Sequence, residues 1–293
     1  PCSSETLLVS ERGTYHAVDT SQTGTAEVGS FLTGGGTVYL TKDVLTRDIN
    51  AGNNEAGSEN VTLDLQEHTM KSLKMGNFPY GTFTVKNGTL GEIQTAASGK
   101  LILENIHYKD TFISAQFDLT VQGENTRFEL PVAFHGTTHL RGGHFEQGLD
   151  SNCVDRALEL LDAGFAFRND QGIVDASNPE NLKGEIQVVA HTCDYVNGKC
   201  ACGRSCDHVG KVNADGYCTN CGTFVYPFAI GENLYTGLEA ALTAAQDGDT
   251  VTLRGDYDMQ GATVEIKKSI TLELNGHTLS GWPYAPILII LAQ

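Results

Sequence analysis

The sequence predicts an all-β protein built as a β-solenoid of stacked coils. Three observations carry this. The phrase Asn60-Val-Thr-Leu-Asp-Leu-Gln-Glu-His-Thr-Met-Lys-Ser72 nearly recurs as Ser269-Ile-Thr-Leu-Glu-Leu-Asn-Gly-His-Thr-Leu-Ser-Gly281, and Gly35-Gly-Thr-Val-Tyr-Leu-Thr-Lys-Asp43 upstream answers Gly248-Asp-Thr-Val-Thr-Leu-Arg-Gly-Asp256. Two elements repeated in the same order mark a duplicated module. Short strand patterns also recur at spacings of about twenty residues without helices between them, which fits stacked coils. A doubly wound sheet would need a helix after each strand. The remaining rival, a β-sandwich, would turn about every 8–12 residues.

The elements follow in order. In Val61-Thr-Leu-Asp-Leu65 apolar residues alternate with Thr62 and Asp64, and in Ile270-Thr-Leu-Glu-Leu274 with Thr271 and Glu273. Period-two alternation puts Val61, Leu63 and Leu65 on a buried face and the polar residues in water. Further strands are expected at Thr82–Val85, Leu101–Ile106, Phe112–Phe117, Phe128–Leu130 and Thr138–Leu140. They are punctuated by Asn87-Gly88, Gln122-Gly123 and Gly142-Gly143. One helix is expected over Cys153–Ala163, with Val154, Ala157, Leu158 and Leu161 on one stripe and a stop at Gly164. Another is expected from about Gly237 to Gln246, opened by a capping box of Thr236 and Glu239. Its apolar face (Leu238, Ala241, Leu242, Ala245) would cover the open end of a stacked core.

The organisation expected is a first β-helix module with a short following helix over 1–168, a linker over 169–190, a Cys/His-rich zinc-ribbon-like insert over 191–226, and over 227–293 a capping helix with the first coils of a second, truncated module. The start at Pro1 reads as a processed form or excised fragment, and Cys2 as uninformative. The run Ile287–Leu291 is far shorter than the ~20 residues a bilayer requires and reads as a buried strand or an exposed edge.

At 293 residues with 40% hydrophobic content, the chain can bury a sizeable core. A formal net charge of −17 argues against nucleic-acid or anionic-membrane partners, which need a basic surface. It suits neutral sugars, cationic groups or divalent ions, but plain solubility is the simpler reading.

The line Tyr235–Leu253 followed by Ile270–Leu279 resembles large surface proteins of Gram-positive gut bacteria that carry pectate-lyase-like modules, and the resemblance implies that the solenoid is a right-handed parallel β-helix. Leu140-Arg-Gly-Gly-His-Phe145 is similar to the "GGxF" rungs near the end of such a module, and Leu158–Phe167 to the helix that follows. The resemblance implies an extracellular, cell-surface location; its motifs specify architecture more than activity.

Six of the eight cysteines fall between the modules. Cys206-x-His208 and Cys218-x-x-Cys221-Gly222 have the spacing of a tetrahedral zinc site, since a CxxC turn ending in glycine points two thiolates at one ion. This segment also resembles the short "CxH…DGxCxxCG" segments of the same surface proteins. His191, Cys193, Cys200 and Cys202 offer a second quartet of nearly mirrored spacing, though CxC has an unusual bite. Disulfides are the alternative for all six thiols. Either device would be structural, because a closed four-ligand site leaves no position for substrate.

A β-helix lyase or hydrolase needs acidic residues gathered on one flank. Asp256 and Asp258 share parity, and Asp43 is the counterpart of Asp256, but a solvated loop is the simpler reading. His68 and His277 recur with the repeat, which suits packing or a turn. His135 and His139 would share a strand face, with His144 beyond a turn. No catalytic residue is assigned. The function expected is a non-catalytic cell-surface protein that binds host or cell-wall glycans, with Tyr39, Tyr80, Phe83 and Tyr108 as sugar platforms or core residues. A polysaccharide lyase or glycosidase, or a spacer, are the alternatives.

Overall fold

The computed structural model describes residues 8–10, 13–15, 26–27, 36–50, 60–75, 78–95, 99–110, 112–114, 117–196, 198–281 and 288–290. Cys2, Gly35 and the side chain of Tyr80 lie outside them. The chain divides into two compact units: Pro1–Cys193 with Ala201–Arg204, and Asp194–Cys200 with Ser205–Gln293.

The first unit is a β-solenoid. Its strands Gly36–Leu40, Val61–Asp64, Phe78–Thr95, Gly99–Tyr108, Phe117–Gln122 and Thr138–Leu140 pair parallel and in register, each with the next. Stacking places one apolar residue per coil in a column: Val38, Leu63, Val85, Leu103, Val121 and Leu140, all buried. Each such side chain removed from water stabilises the fold by roughly 1.5–3 kcal/mol. A second stack begins around the corner. There Met70, Leu90, Tyr108, Phe128 and Phe145 align, with the rings of Phe128 and Phe145 stacked at 5.0 Å. A third, shorter stack pairs Phe112–Ser114 with Val132–Phe134.

The corners explain the polar residues between strands. Asn87 and Asn105 stand one coil apart in the left-handed region (φ 57° and 52°), and Gly123 follows at φ 88°. Phe78–Thr95 is therefore one strand bent at Asn87, with Thr84 in the first stack and Leu90 in the second. Asp64, expected in water, is buried at the same corner. Its carboxylate accepts from the Gln66 N–H and the Asn87 side-chain amide, with Lys86 Nζ at 3.7 Å.

Antiparallel pairing is found at the ends of this stack. Leu8–Ser10 pairs antiparallel with both Gly13–Tyr15 and Gly36–Leu40. At the far end His144–Phe145 pairs antiparallel with Ile186–Ala190, which also pairs with Phe165–Asn169. Reversed strands here cover edges that would otherwise template further pairing. Residues 169–190, read as a linker, are thus folded: Val174, Ala176, Leu182, Ile186 and Val188 are buried in the first unit's core.

The helix expected over Cys153–Ala163 is only a 3₁₀ turn, Val154–Arg156, and one α-turn, Ala157–Leu160. Leu161 is already extended and bridges Leu140 in parallel, so coil stacking ends the helix before its propensity does.

The second unit repeats the opening of the first. Phe228–Ile230 pairs antiparallel with Asn233–Tyr235 and with Thr250–Leu253, which pairs parallel with Thr271–Glu273. The registers match those of the first unit: Phe228 faces Leu253 as Leu8 faces Leu40, and Val251 faces Leu272 as Val38 faces Leu63. Two further parallel pairs, Tyr257–Asp258 with Leu279–Ser280 and Val264–Ile266 with Leu288–Ile290, extend the coils. The second pair takes up Leu288–Ile290 of the apolar run, whose ends Ile287 and Leu291 lie outside the described residues.

The second unit's helix spans Leu238–Ala244 and buries Leu238, Ala241 and Ala245 against Phe228, Val251 and Leu253. The expected capping box does not form. Gly237 is the N-cap and makes no side-chain bond, because the helix starts one residue later than Thr236 requires. Ile270 and Leu272 are only half-buried and Leu274 is exposed, unlike Val61, Leu63 and Leu65. In the first unit the next coil covers those positions with Phe83 and Val85; among the described residues no coil stacks beyond Thr271–Glu273.

Candidate metal centre

The sequence places Cys206 and His208 on one reversing loop and Cys218 and Cys221 on another. Hydrogen bonds draw the loops together. Thr219 donates both its N–H (2.6 Å) and its hydroxyl (2.9 Å) to the Lys211 carbonyl, and Val212 bridges Cys218. His208 holds φ 60°, and the Lys211 N–H closes the turn onto its carbonyl. Between the loops the Asn213 side chain accepts from the N–H groups of Asp215 and Tyr217, shaping the bend Asn213–Gly216.

The second turn shows why a glycine must follow Cys221. The Gly222 N–H bonds the Cys218 carbonyl at 2.8 Å with Gly222 at φ 69°, a conformation that costs other residues roughly 1–2 kcal/mol. The Cys218 N–H in turn bonds the Thr223 carbonyl, so the chain doubles back over the thiols.

These constraints converge four ligand atoms. One from each of Cys206, His208, Cys218 and Cys221 lies within 4.8 Å of the others. Cys206 Sγ and Cys218 Sγ are 3.6 Å apart, and Cys221 Sγ is 3.5 Å from His208 Nδ1. A tetrahedral ion with metal–sulfur bonds near 2.3 Å and metal–nitrogen near 2.05 Å needs edges of about 3.8 and 3.6 Å. The donor set fits a metal ion in both chemistry and size. A disulfide would need sulfurs about 2.05 Å apart, and the seven described cysteines carry none.

The electrostatics are divided between the buried thiols. Burial pushes Cys206 up to about 11. Hydrogen bonding to His208, helped by the Asn220 and Cys221 backbone N–H groups, brings Cys218 down to about 6 against the opposing pull of burial. A metal ligand must be deprotonated, and the hydrogen bonds to Cys218 act in that direction. Thr223, which the sequence did not flag, sets its hydroxyl 3.2 Å from Cys221 Sγ. Nothing in the CxxCG spacing signals it.

Of the first quartet, His191, Cys193 and Cys202 belong to the first unit, where Cys193 Sγ and Cys202 Sγ are 3.6 Å apart, and Cys200 belongs to the second. Cys202 is held by its carbonyl, which accepts the Ala176 N–H. Arg204 follows it, donating to the carbonyls of Leu161 (2.8 Å) and Asp162 (3.2 Å) at the end of the first unit's stack. Cys206, His208, Cys218 and Cys221 all lie within the second unit, and that group can hold a metal ion.

The other flagged residues do not assemble. Asp43 accepts the Thr69 N–H and Asp256 the Thr278 N–H, each bracing the next coil, while Asp258 accepts the Gln260 N–H and supports a turn. His135 and His139 do not share a strand, because the chain turns at Gly136 between Val132–Phe134 and Thr138–Leu140. His139 sits 2.7 Å from Asp162 and 3.4 Å from Asp118, while His144 sits 2.8 Å from Glu185. His144 belongs to a ladder in which each basic residue reaches a carboxylate flanking the next strand: His107 to Glu129, Arg127 to Glu146, His144 to Glu185. Of the aromatic platforms, Phe83 and Tyr108 are core residues, the Tyr108 hydroxyl accepting the Ile93 N–H at 2.8 Å. Tyr39 is half-buried.

No family model, curated protein or solved structure matches the chain.

Proposed function

We propose that this chain is a non-catalytic scaffold of the cell surface, of the pectate-lyase-like parallel β-helix kind, that binds host or cell-wall glycans along the lateral face of its first unit. The observation that supports it is the in-register row Thr62, Thr84, Ile102, Thr120 and His139, beside Lys86, Glu104 and Gln122. These side chains are partly exposed and repeat once per coil, about 4.8 Å apart. An extended polymer can follow such a row with one polar contact per step. The acidic residues open to a lyase or hydrolase role instead brace neighbouring coils: Asp43 and Asp256 make the same bond in both units.

The metal of the insert is zinc in this reading, and its role is structural. Three thiolates and an imidazole are soft ligands in a closed tetrahedron, the set that favours zinc and leaves no position for substrate. Native mass spectrometry before and after chelation checks it: a mass excess of one or two zinc ions, lost on chelation, is expected. A mass deficit matching lost hydrogens, abolished by reductant, would replace zinc by disulfides.

Retention of the full chain on a glycan array, without release of sugar products, is the result expected for the scaffold. Turnover of an acidic or neutral polysaccharide would favour the lyase or glycosidase reading, and neither signal would leave a spacer. A Thr84→Lys, Thr120→Lys double variant disrupts the row and should abolish retention while folding normally.

A further inference from the structure

The residues just after the metal ligands do more than close the knuckle. Phe224 lies three positions beyond Cys221 and four before Phe228, the first residue of the hairpin that pairs with the second unit's first coil. Its ring fills a slot that exists only because two positions lack a Cβ. A Cβ on Gly255 would meet Phe224 Cε1 at 2.6 Å, and one on Gly216 would meet Cε2 at 2.9 Å. Gly216 belongs to the metal-binding loops, and Gly255 follows the coil strand Thr250–Leu253. The ring is therefore wedged between the knuckle and the coil within one unit.

Other contacts fix it there. The Arg254 guanidinium stands 5.9 Å from the Phe224 ring centroid, in the range of a cation–π contact. Tyr217 packs on the ring at 4.9 Å and bridges Phe224 through the backbone. The Val225 N–H bonds the Gly216 carbonyl, and the Arg254 N–H bonds the Pro227 carbonyl, both at 2.8 Å. Tyr217 directly precedes the ligand Cys218, so the surface that seats the ring is set by the loop the metal would hold.

The geometry points to a metal-dependent clamp: an ion at Cys206, His208, Cys218 and Cys221 holds the Phe224 wedge in its slot and so keeps the hairpin Phe228–Tyr235 docked on the second unit's first coil. This goes beyond a local fold for the insert, and it rests on that quartet binding zinc. A segment this small draws most of its order from the ion. Without it, the wedge is carried on a loop with little to retain its shape, and the coil edge is left to the hairpin's own pairing.

The test is hydrogen exchange on the full chain, zinc-loaded and chelator-treated, with zinc counted by native mass spectrometry. Chelation should speed exchange about tenfold or more in 228–235 and 250–253, as expected for a locally opened unit, and leave 101–108 in the first unit unchanged. Cys221→Ser, which removes a ligand of this quartet alone, should lose one zinc and reproduce that pattern. Phe224→Ala should keep the wild-type zinc count, yet exchange fast in 228–235 whether or not chelator is present. Zinc released with 228–253 unchanged overturns the clamp, as does a Phe224→Ala chain that responds to chelator like wild type. A chain that never retains zinc overturns the metal reading itself, a different failure that the mass spectrum distinguishes. Should Phe224→Ala not fold, the wild-type and Cys221→Ser comparison decides alone.

Discussion

The carboxylate of Asp43 accepts the backbone N–H of Thr69 at 2.8 Å, across 26 residues of chain. In the second unit Asp256 accepts the N–H of Thr278 at the same distance. A histidine precedes each threonine, with His68 Nδ1 3.4 Å from Asp43 and His277 Nδ1 3.7 Å from Asp256. Each aspartate ties the start of one coil's second strand to the next coil, so the repeated Asp and His-Thr in the sequence mark a repeated brace.

Asp43→Ala should therefore cost about 1 kcal/mol of stability through the lost charge-assisted bond at an exposed site. Asp43→Asn keeps an accepting oxygen and should be nearly neutral. Urea midpoints of the two variants check this. A catalytic Asp43 would give the opposite pattern, with Asn abolishing turnover while stability held.

The turn before His68 is strained where its counterpart is not. Gln66 and Glu67 adopt φ 50° and 65°, whereas the second unit places Asn275 and Gly276 at φ 50° and 79°. Both turns close with the histidine N–H on the leucine carbonyl, from His68 to Leu65 and from His277 to Leu274. Glu67→Gly should stabilise the first unit by about 1 kcal/mol, since a Cβ is penalised in this region. A lower thermal midpoint for Glu67→Gly would refute the assignment.

Adjacent coils approach closely at Gly91, where a Cβ would meet the Lys71 carbonyl oxygen at 2.3 Å. Backbone cannot retreat as a flexible side chain can. Gly91→Ala should destabilise by about 1–3 kcal/mol, as overpacking does. Chemical denaturation followed by far-UV circular dichroism measures it.

Acid should loosen the first unit through identifiable pairs. The hydrogen bond from Arg127 holds Glu146 below the usual carboxylate range, and that from Lys74 does the same for Asp48. Burial raises Asp162, but bonds from Arg141 and His139 outweigh it and leave its pKa lowered. A carboxyl depressed on folding adds stability that is full above its unfolded value, near 4.5 for glutamate and 3.8 for aspartate, and fades as pH falls through the folded value. Thermal midpoints should fall below about pH 4.5, and Arg127→Gln with Arg141→Gln should make that fall shallower. Each exposed pair contributes little, so the slope is the informative quantity.

What was legible in the sequence was local or periodic. Alternation in Val61–Leu65 placed Val61, Leu63 and Leu65 in the core, where they are buried. The spacing of Cys206, His208, Cys218 and Cys221 picked out four side chains that do converge, because short loops and a glycine at 222 leave few ways to fold them. The near-repeat announced a second unit whose register matches the first.

Tertiary structure alone decided what depends on the neighbouring coil. Asp64 alternates like a surface residue yet is buried, because the corner at Asn87 brings an amide to it from 23 residues away. Leu161 has helical neighbours yet extends, because Leu140 offers it a strand partner. Phe224 looks like any aromatic after a knuckle, and only the fold sets Gly255 against its ring. Sequence patterns report on contacts between near neighbours; in a solenoid most of a residue's surroundings are contributed by chain a full turn away, and coil length decides which residue arrives there.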